Sequence, residues 1–364
     1  MRFLLLLLLC LFVLSCQKET TVQEEFEIAA EKEKWHYIPI PGMICRDNSN
    51  TGIGVRLKEA SKKAIIYLEG GGGCFNTVTC AANPSSYGKI AFDSWKTAGL
   101  QFGIFDKNST LNPFKDWNFV YIPYCTGDVH SGTTYSAHVN SVYTDQKMVG
   151  HSNIDLALEE LTAHFGTQIN EVFLTGSSAG GYGTLINANQ VIEAFPGIKI
   201  TVLDDSGPVL MDQAVQPDCL DNLWEDVFQT HFPTDFDTYT TGQYSTPMKS
   251  IYEYLSNKHP NVQFGLIAAL EDIVIREFYG YGKNNCAAST VVPAPLPAAD
   301  YKNALIYLRE TVFARHTNWK TFYVNDASHT FNLLPGTMKK EVNGVQFGTW
   351  INTLRNRNAT HVYD

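Results

Sequence analysis

Three kinds of side chain, spread over the sequence, have the types and order needed for nucleophilic acyl chemistry. Gly176-Ser177-Ser178-Ala179-Gly180 fits the pattern G-x-S-x-G, with the apolar run Glu171 to Leu174 just before it. A strand, a glycine-flanked serine and then a helix make a sharp turn that lifts one hydroxyl clear of the backbone. The pattern gives that position to Ser178 rather than Ser177. A serine hydroxyl is a weak nucleophile until a neighbouring base takes its proton, and the base needs an acid to orient it. On a turn of this kind the chain order is serine, acid, histidine. Asp326-Ala327-Ser328-His329-Thr330-Phe331 follows the strand-like run Trp319 to Val324, so His329 is the expected base. His231, His259 and His316 follow no strand and read as surface or packing residues. Glu271-Asp272 ends the apolar run Val262 to Leu270, which makes Asp272 the expected acid. Asp205, after the run Ile198 to Leu203, is its rival and reads more simply as a loop cap.

Acyl transfer also needs donors aimed at the developing oxyanion; losing one typically costs about 10²–10³ in rate. Ile65-Ile66-Tyr67-Leu68-Glu69 leads into Gly70-Gly71-Gly72-Gly73-Cys74, a strand ending in four glycines upstream of the nucleophile. Without side chains, the backbone N–H groups of such a loop can approach a substrate closely. The N–H of Ala179, just after the nucleophile, supplies a second donor. A phosphate-cradling loop is the other use of glycines here, but no Gly-Lys-Ser/Thr follows them.

The elements that must position these groups follow from the apolar pattern. Strand-like runs fall at Ala64 to Leu68, Trp117 to Ile122, Glu171 to Leu174, Ile198 to Leu203, Val262 to Ala268 and Thr321 to Val324. Helical periods lie between them, at Ile154 to Phe165 and Ala179 to Ala194. Strands alternating with helices imply a mostly parallel sheet covered on both faces, with its site at the strand C-termini. The fold class is α/β, of the α/β-hydrolase type. Residues 35–364 form the expected catalytic domain. An aromatic-rich insertion at about 208–260, holding Trp224, Phe228, Phe232, Phe236, Tyr239, Tyr244, Tyr252 and Tyr254, reads as a cap. A second insertion, rich in Gly, Ala and Pro, runs from about Tyr279 to Asp300.

The N-terminus reads as an export signal. Met1-Arg2 precedes an apolar run from Phe3 to Leu14, too short to span a bilayer. Val13-Leu14-Ser15-Cys16 has the form of a bacterial lipobox, so residues 1–15 are the expected signal peptide and Cys16 the expected lipidated residue. Residues 16–34, rich in Glu, Lys and Thr, read as a flexible spacer from lipid to domain. The expected location is therefore the cell envelope or surface, as a membrane-anchored lipoprotein. Cys10 leaves with the signal. Cys45, Cys74, Cys80, Cys125, Cys219 and Cys286 remain, an even set that reads as disulfides in an exported chain. No CxxC pair supports a zinc site. With 44% hydrophobic and 18% charged residues the chain is an ordered globular protein. Its net charge of −10 and lack of a basic cluster exclude a nucleic-acid partner.

Taken together, Tyr67-Leu68-Glu69-Gly70-Gly71-Gly72-Gly73-Cys74-Phe75-Asn76, Pro123-Tyr124-Cys125-Thr126-Gly127-Asp128-Val129-His130-Ser131-Gly132, Gly176-Ser177-Ser178-Ala179-Gly180-Gly181 and Asp205-Ser206-Gly207 resemble the pectin acetylesterase/Notum family, in the family's order. The resemblance runs from about Trp35 to Phe331. It implies a Ser-Asp-His triad that removes acyl groups, with Ser178 as nucleophile, Asp272 as acid and His329 as base. It implies oxyanion donors at Gly71, Gly72 and Ala179. Members commonly carry Trp within the glycine stretch, where this chain has Gly72 and Gly73, and the sequence around His329 differs from plant and animal members. Asp128 and His130 border the site or hold its loop; holding the loop is the expectation. The function expected is hydrolysis of an O-acyl ester, O-acetyl on a polysaccharide first, by a monomer that needs no metal or cofactor. A deacylase for longer chains, a peptidase and a glycan-binding protein on the same fold are the rival readings.

Overall fold

The computed structural model describes residues 20–284, 286 and 292–364. The signal run, Cys10 and Cys16 lie outside them. An eight-stranded sheet runs in the order β1 (His36–Ile44), β2 (Asn50–Arg56), β4 (Asn118–Ile122), β3 (Lys63–Leu68), β7 (Glu171–Ser177), β8 (Lys199–Asp205), β9 (Gln263–Ala269), β10 (Trp319–Val324). From β4 to β10 every neighbouring pair is parallel, while β1, β2 and β4 meet antiparallel at one edge. Two small hairpins stand apart, β5 (Thr134–Ala137) with β6 (Gln146–Met148), and β11 (Glu341–Val342) with β12 (Val345–Gln346). The six strand-like runs read from the sequence are the six parallel strands.

Alternation along these strands divides the core in two. Ile66, Leu68, Val172, Leu174, Val202, Leu266 and Ala268 face one buried cluster, and Ile65, Tyr67, Phe173, Leu203, Ile267 and Phe322 face the other. Every residue of β7 is buried, as expected of a central parallel strand covered on both sides. The covering helices are α1 (Val22–Lys32), α2 (Thr77–Ala82), α3 (Lys89–Ala98), α4 (Gly150–Phe165), α5 (Ala179–Ala194), α6 (Asp218–Phe228), α7 (Pro247–Lys258), α8 (Ile273–Gly280), α9 (Ala298–Tyr307) and α10 (Phe347–Arg355). From β3 the chain goes to β4 on one side and then to β7, β8, β9 and β10 on the other. The C-terminal ends of β3 and β7 are thus the switch point, where open α/β sheets form a crevice.

Two expectations need correction. The stretch read as a flexible spacer is helical from Val22 onward. Thr21 and Glu24 cap the helix reciprocally, Phe26 and Ala29 are fully buried, and the Phe26 ring stacks on His164 at 4.4 Å. Val22, Phe26, Ala29 and Ala30 share one face of α1, and Glu24, Glu25 and Glu27 between them lie off it. The cap is also smaller than expected. Its aromatic segment does lie between adjacent strands β8 and β9, but α7 packs on α5, and Tyr252 meets Trp319 edge-on at 4.8 Å. That makes α7 the crossover helix of the sheet, and leaves only the stretch before it to rise over the site.

Three disulfides, Cys45–Cys125, Cys74–Cys80 and Cys219–Cys286, pair all six of the expected cysteines. This is the chemistry of an exported protein, since reducing compartments keep thiols free.

Candidate active site

Ser178 sits between β7 and α5 with φ 58° and ψ −118°, a backbone conformation that costs a non-glycine residue about 1–3 kcal/mol. Its surroundings enforce the strain: the Ser178 N–H donates to the Asp205 carbonyl at 2.8 Å, and the Gly181 N–H donates back to the Ser178 carbonyl at 2.8 Å. The flanking glycines answer to crowding. A Cβ on Gly180 would lie 2.1 Å from the Leu68 carbonyl oxygen, and one on Gly176 would lie 2.3 Å from that of Gly180. The turn therefore presses against the end of β3, from which the glycine loop departs.

His329 follows β10, and its Nδ1 lies 2.9 Å and 3.1 Å from the two carboxylate oxygens of Asp272. Asp272 is fully buried at the end of β9, and its Oδ1 also accepts from the Val274 and Ile275 N–H groups at 3.0 Å. Capping α8 in this way fixes the carboxylate rotamer, and with it the direction of the imidazole. Among the described residues Ser178 Oγ and the imidazole share no direct hydrogen bond, and such contacts often close only when substrate binds.

Asp205 is where the serine turn and the histidine loop are joined. Its carboxylate accepts from Ser177 Oγ at 2.7 Å, Phe331 N–H at 2.9 Å, Asn332 N–H at 2.8 Å and Ser206 Oγ at 3.1 Å. Its own carbonyl receives the Ser178 N–H. Burial pushes the carboxyl pKa up, and the Asn332 and Phe331 amides with the Ser177 hydroxyl pull it back. Asp205 is thus a brace two and three residues past His329, in keeping with the loop-holding role read for it. Beside it, buried Asp204 caps Gly207, with its carboxyl pushed far up by burial.

The glycine loop after β3 is held from behind. Asn83 Nδ2 donates to the Gly71 carbonyl at 2.6 Å, and Tyr124 OH donates to that of Gly72 at 2.7 Å while accepting the Val129 N–H at 2.8 Å. In a trans peptide the N–H points opposite to the carbonyl it is bonded through. The Gly72 and Gly73 N–H groups therefore face away from Asn83 and Tyr124. Gly72 needs its glycine, with φ +78° and a would-be Cβ 3.0 Å from the Phe278 ring. Ala179 opens α5, where an N–H has no intrahelical acceptor. Gly72, Gly73, Ser178 and Ala179 line one small cavity, and Gly71 precedes them in the loop, with the place of its missing side chain 2.8 Å from the Tyr124 ring.

The rest of the cavity wall is apolar: Phe75, Val129, Tyr182, Trp224, and Ile275, Phe278 and Tyr279 from α8. Its volume of about 20 Å³ has room for a group of roughly the size of one water or methyl. Asp128 and His130 hold the neighbouring loop. The Asp128 carboxylate accepts from Thr126 Oγ1 at 2.6 Å and from the Gly150 N–H at 2.7 Å. His130 Nε2 bonds the Glu69 carbonyl at 2.8 Å, and burial pushes its pKa down to about 4. The sequence reading missed Tyr124, Asn83 and the α8 wall. Ile275, Phe278 and Tyr279 do recur at i, i+3 and i+4 straight after Asp272, a helical spacing that marks a shared face. Of the histidines set aside, His231 stacks on His151 at 4.2 Å and His259 bonds Asn189, both as packing groups.

A parallel sheet with a strained serine turn at its switch point, and an imidazole–carboxylate pair on the loops beside it, defines an α/β-hydrolase-type fold. Residues 31–274 match the pectinacetylesterase family model, and the chain belongs to that family. The match takes in the glycine loop, Ser178 and Asp272, and stops short of His329. Similar proteins include the palmitoleoyl-protein carboxylesterase NOTUM of Schmidtea mediterranea, 37% identical over 153 residues, covering 40% of this chain and 28% of the relative. Palmitoleoyl-protein carboxylesterase notum2 of Xenopus laevis is 29% identical over 218 residues, covering 57% and 44%. The Homo sapiens NOTUM is 29% identical over 203 residues, covering 53% and 40%. The chain thus spans less than half the length of these relatives.

Proposed function

We propose that the chain is a serine esterase that removes short O-acyl groups, acetyl first among them, from a polysaccharide. Ser178 attacks the ester carbonyl while His329 takes its proton, oriented by Asp272. The N–H groups of Gly71, Gly72 and Ala179 hold the tetrahedral oxyanion. Protonated His329 then releases the sugar hydroxyl, and water, activated by the same imidazole, frees the acid from the acyl-enzyme. The observation that carries this reading is the pairing of His329 with buried Asp272, on a loop that shares Asp205 with the turn of Ser178. Membership of the pectinacetylesterase family supports an acetylated polysaccharide as substrate.

The relatives named for a palmitoleoyl-protein favour a second reading, a deacylase for long chains. A cavity of about 20 Å³ beside the serine favours the short acyl group instead. The protein is further proposed to act as a monomer, exported and tethered to the membrane by lipid on Cys16. Metabolic labelling with an alkyne fatty acid, lost in Cys16→Ser, tests the tether. Acetate release from a panel of acetylated polysaccharides, together with fluorophosphonate labelling of the purified domain, tests the activity. Labelling abolished by Ser178→Ala and acetate released only by the unsubstituted protein are expected. Glycan binding with neither labelling nor acetate release would instead identify a binding protein on the same fold.

A further inference from the structure

We infer that Phe278 sets the length of acyl group the site accepts, an inference that rests on the esterase reading above. Phe278 lies on α8, which starts at the carboxylate that orients His329. Its ring reaches across the cavity to the glycine loop: a Cβ on Gly72 would lie 3.0 Å from Phe278 Cζ. The ring thus fills the space that a side chain at position 72 would occupy. Phe75, another residue of the wall, and Tyr281 flank it, with ring centroids each 6.4 Å from that of Phe278. The ring carries no polar atom, so it takes no part in the chemistry. Of the side chains that line this cavity with Ser178, Phe278 alone is half-buried rather than buried.

The physical consequence is an apolar wall that one half-buried side chain can open. An acetyl carbonyl at Ser178, with its oxygen toward the Ala179 and Gly72 amides, sends its methyl into the roughly methyl-sized space. Further methylenes run into the apolar wall, of which the Phe278 ring is part. Discrimination by one methylene in an apolar pocket is worth about 10–200-fold, so a several-carbon chain is strongly disfavoured unless the ring gives way. Phe278 is half-buried, with part of its surface open, so truncating it removes a wall without hollowing the core. The rings of Phe75 and Tyr281 then border the enlarged space.

The test is kcat/KM for nitrophenyl acetate, butyrate and hexanoate in the unsubstituted protein, Phe278→Ala and Phe278→Leu. The unsubstituted protein should favour acetate over hexanoate by at least about 10²-fold. Phe278→Ala should shrink that ratio by about 10–100-fold, chiefly by raising hexanoate turnover, with Phe278→Leu between the two. An unchanged ratio in both variants, with acetate turnover intact, would overturn the role of Phe278 and leave the esterase reading standing. Should Phe278→Ala unfold by circular dichroism, the Leu variant decides alone. No turnover of any ester by the unsubstituted protein, and no fluorophosphonate labelling, would overturn the esterase reading itself.

Discussion

The two sides of the site are held by different forces. On one side, Ser178 and the loop of His329 are fixed by directional polar contacts that converge on two fully buried carboxylates, Asp205 and Asp272. On the other, the cavity wall of Trp224, Ile275 and Phe278 is held by apolar packing and the N-cap of one helix, with Tyr279 beside them tied through its hydroxyl to Pro208, Gln216 and Tyr182. Buried charges are costly unless every donor is in place, so the polar side has one geometry and tolerates little change. Packed aromatics can be exchanged for others of similar volume at modest cost. For the proposed esterase, such a division would keep the reaction constant while the acyl group is free to vary.

If the contrast is right, substitutions on the polar side should cost rate and those on the apolar side should redistribute it. The largest loss is expected for Asp272→Asn, about 10⁴-fold in kcat/KM on an acetyl ester, because the imidazole loses its orienting partner. Asp205→Asn should follow, at about 10²-fold in kcat with KM little changed, since misplacing reacting groups by an ångström costs about that much. The two losses also decide which carboxylate is the acid: a larger loss for Asp205→Asn would exchange their roles. Tyr124→Phe removes the hydroxyl that ties the Gly72 carbonyl to the Val129 amide. It leaves the amide donors themselves in place, so kcat should fall by about tenfold, less than the 10²–10³ of losing a donor outright.

The smallest effect concerns acid stability. Burial holds His130 neutral, with its pKa pushed down to about 4 from an ordinary 6.5. Unfolding frees the ring to take a proton, so the stability it contributes is complete above about pH 6.5 and is lost as pH falls through 4. In His130→Gln, whose amide can still donate to the Glu69 carbonyl, Tm should therefore drop less between pH 7 and 4.5 than in the unsubstituted protein. His151 and His361, also pushed down to about 4, act alike in both. Equal drops would show that burial does not hold His130 neutral.

The division between the two sides also explains what was legible in the sequence. The six parallel strands and helices α4 and α5 could be read because burial on both faces leaves long apolar runs and clean helical periods. Ser178, Asp272 and His329 could be picked out as candidates because each follows such a strand, where the fold puts its site. The apolar side was harder to see. Trp224 and Phe278 look like any core aromatic until their neighbours in space are known, and Tyr124 gives no hint that its hydroxyl bridges two loops. Helix α1 was missed because its apolar face, Val22, Phe26, Ala29 and Ala30, is sparse among charges, and only packing on β1 and α4 makes it pay its ordering entropy. The antiparallel edge of β1 and β2 was missed too, for its strands carry proline and glycine that mask the alternation.

The central claim is that Ser178 carries the acyl group between two half-reactions. Mixing the protein with an acetyl ester, quenching in acid within a turnover and digesting for mass spectrometry tests it directly. One acetyl group should appear on the peptide that holds Ser178, and both that adduct and steady-state turnover should vanish in Ser178→Ala. Acetyl on a different residue such as Ser177, or undiminished turnover in Ser178→Ala, would contradict the account.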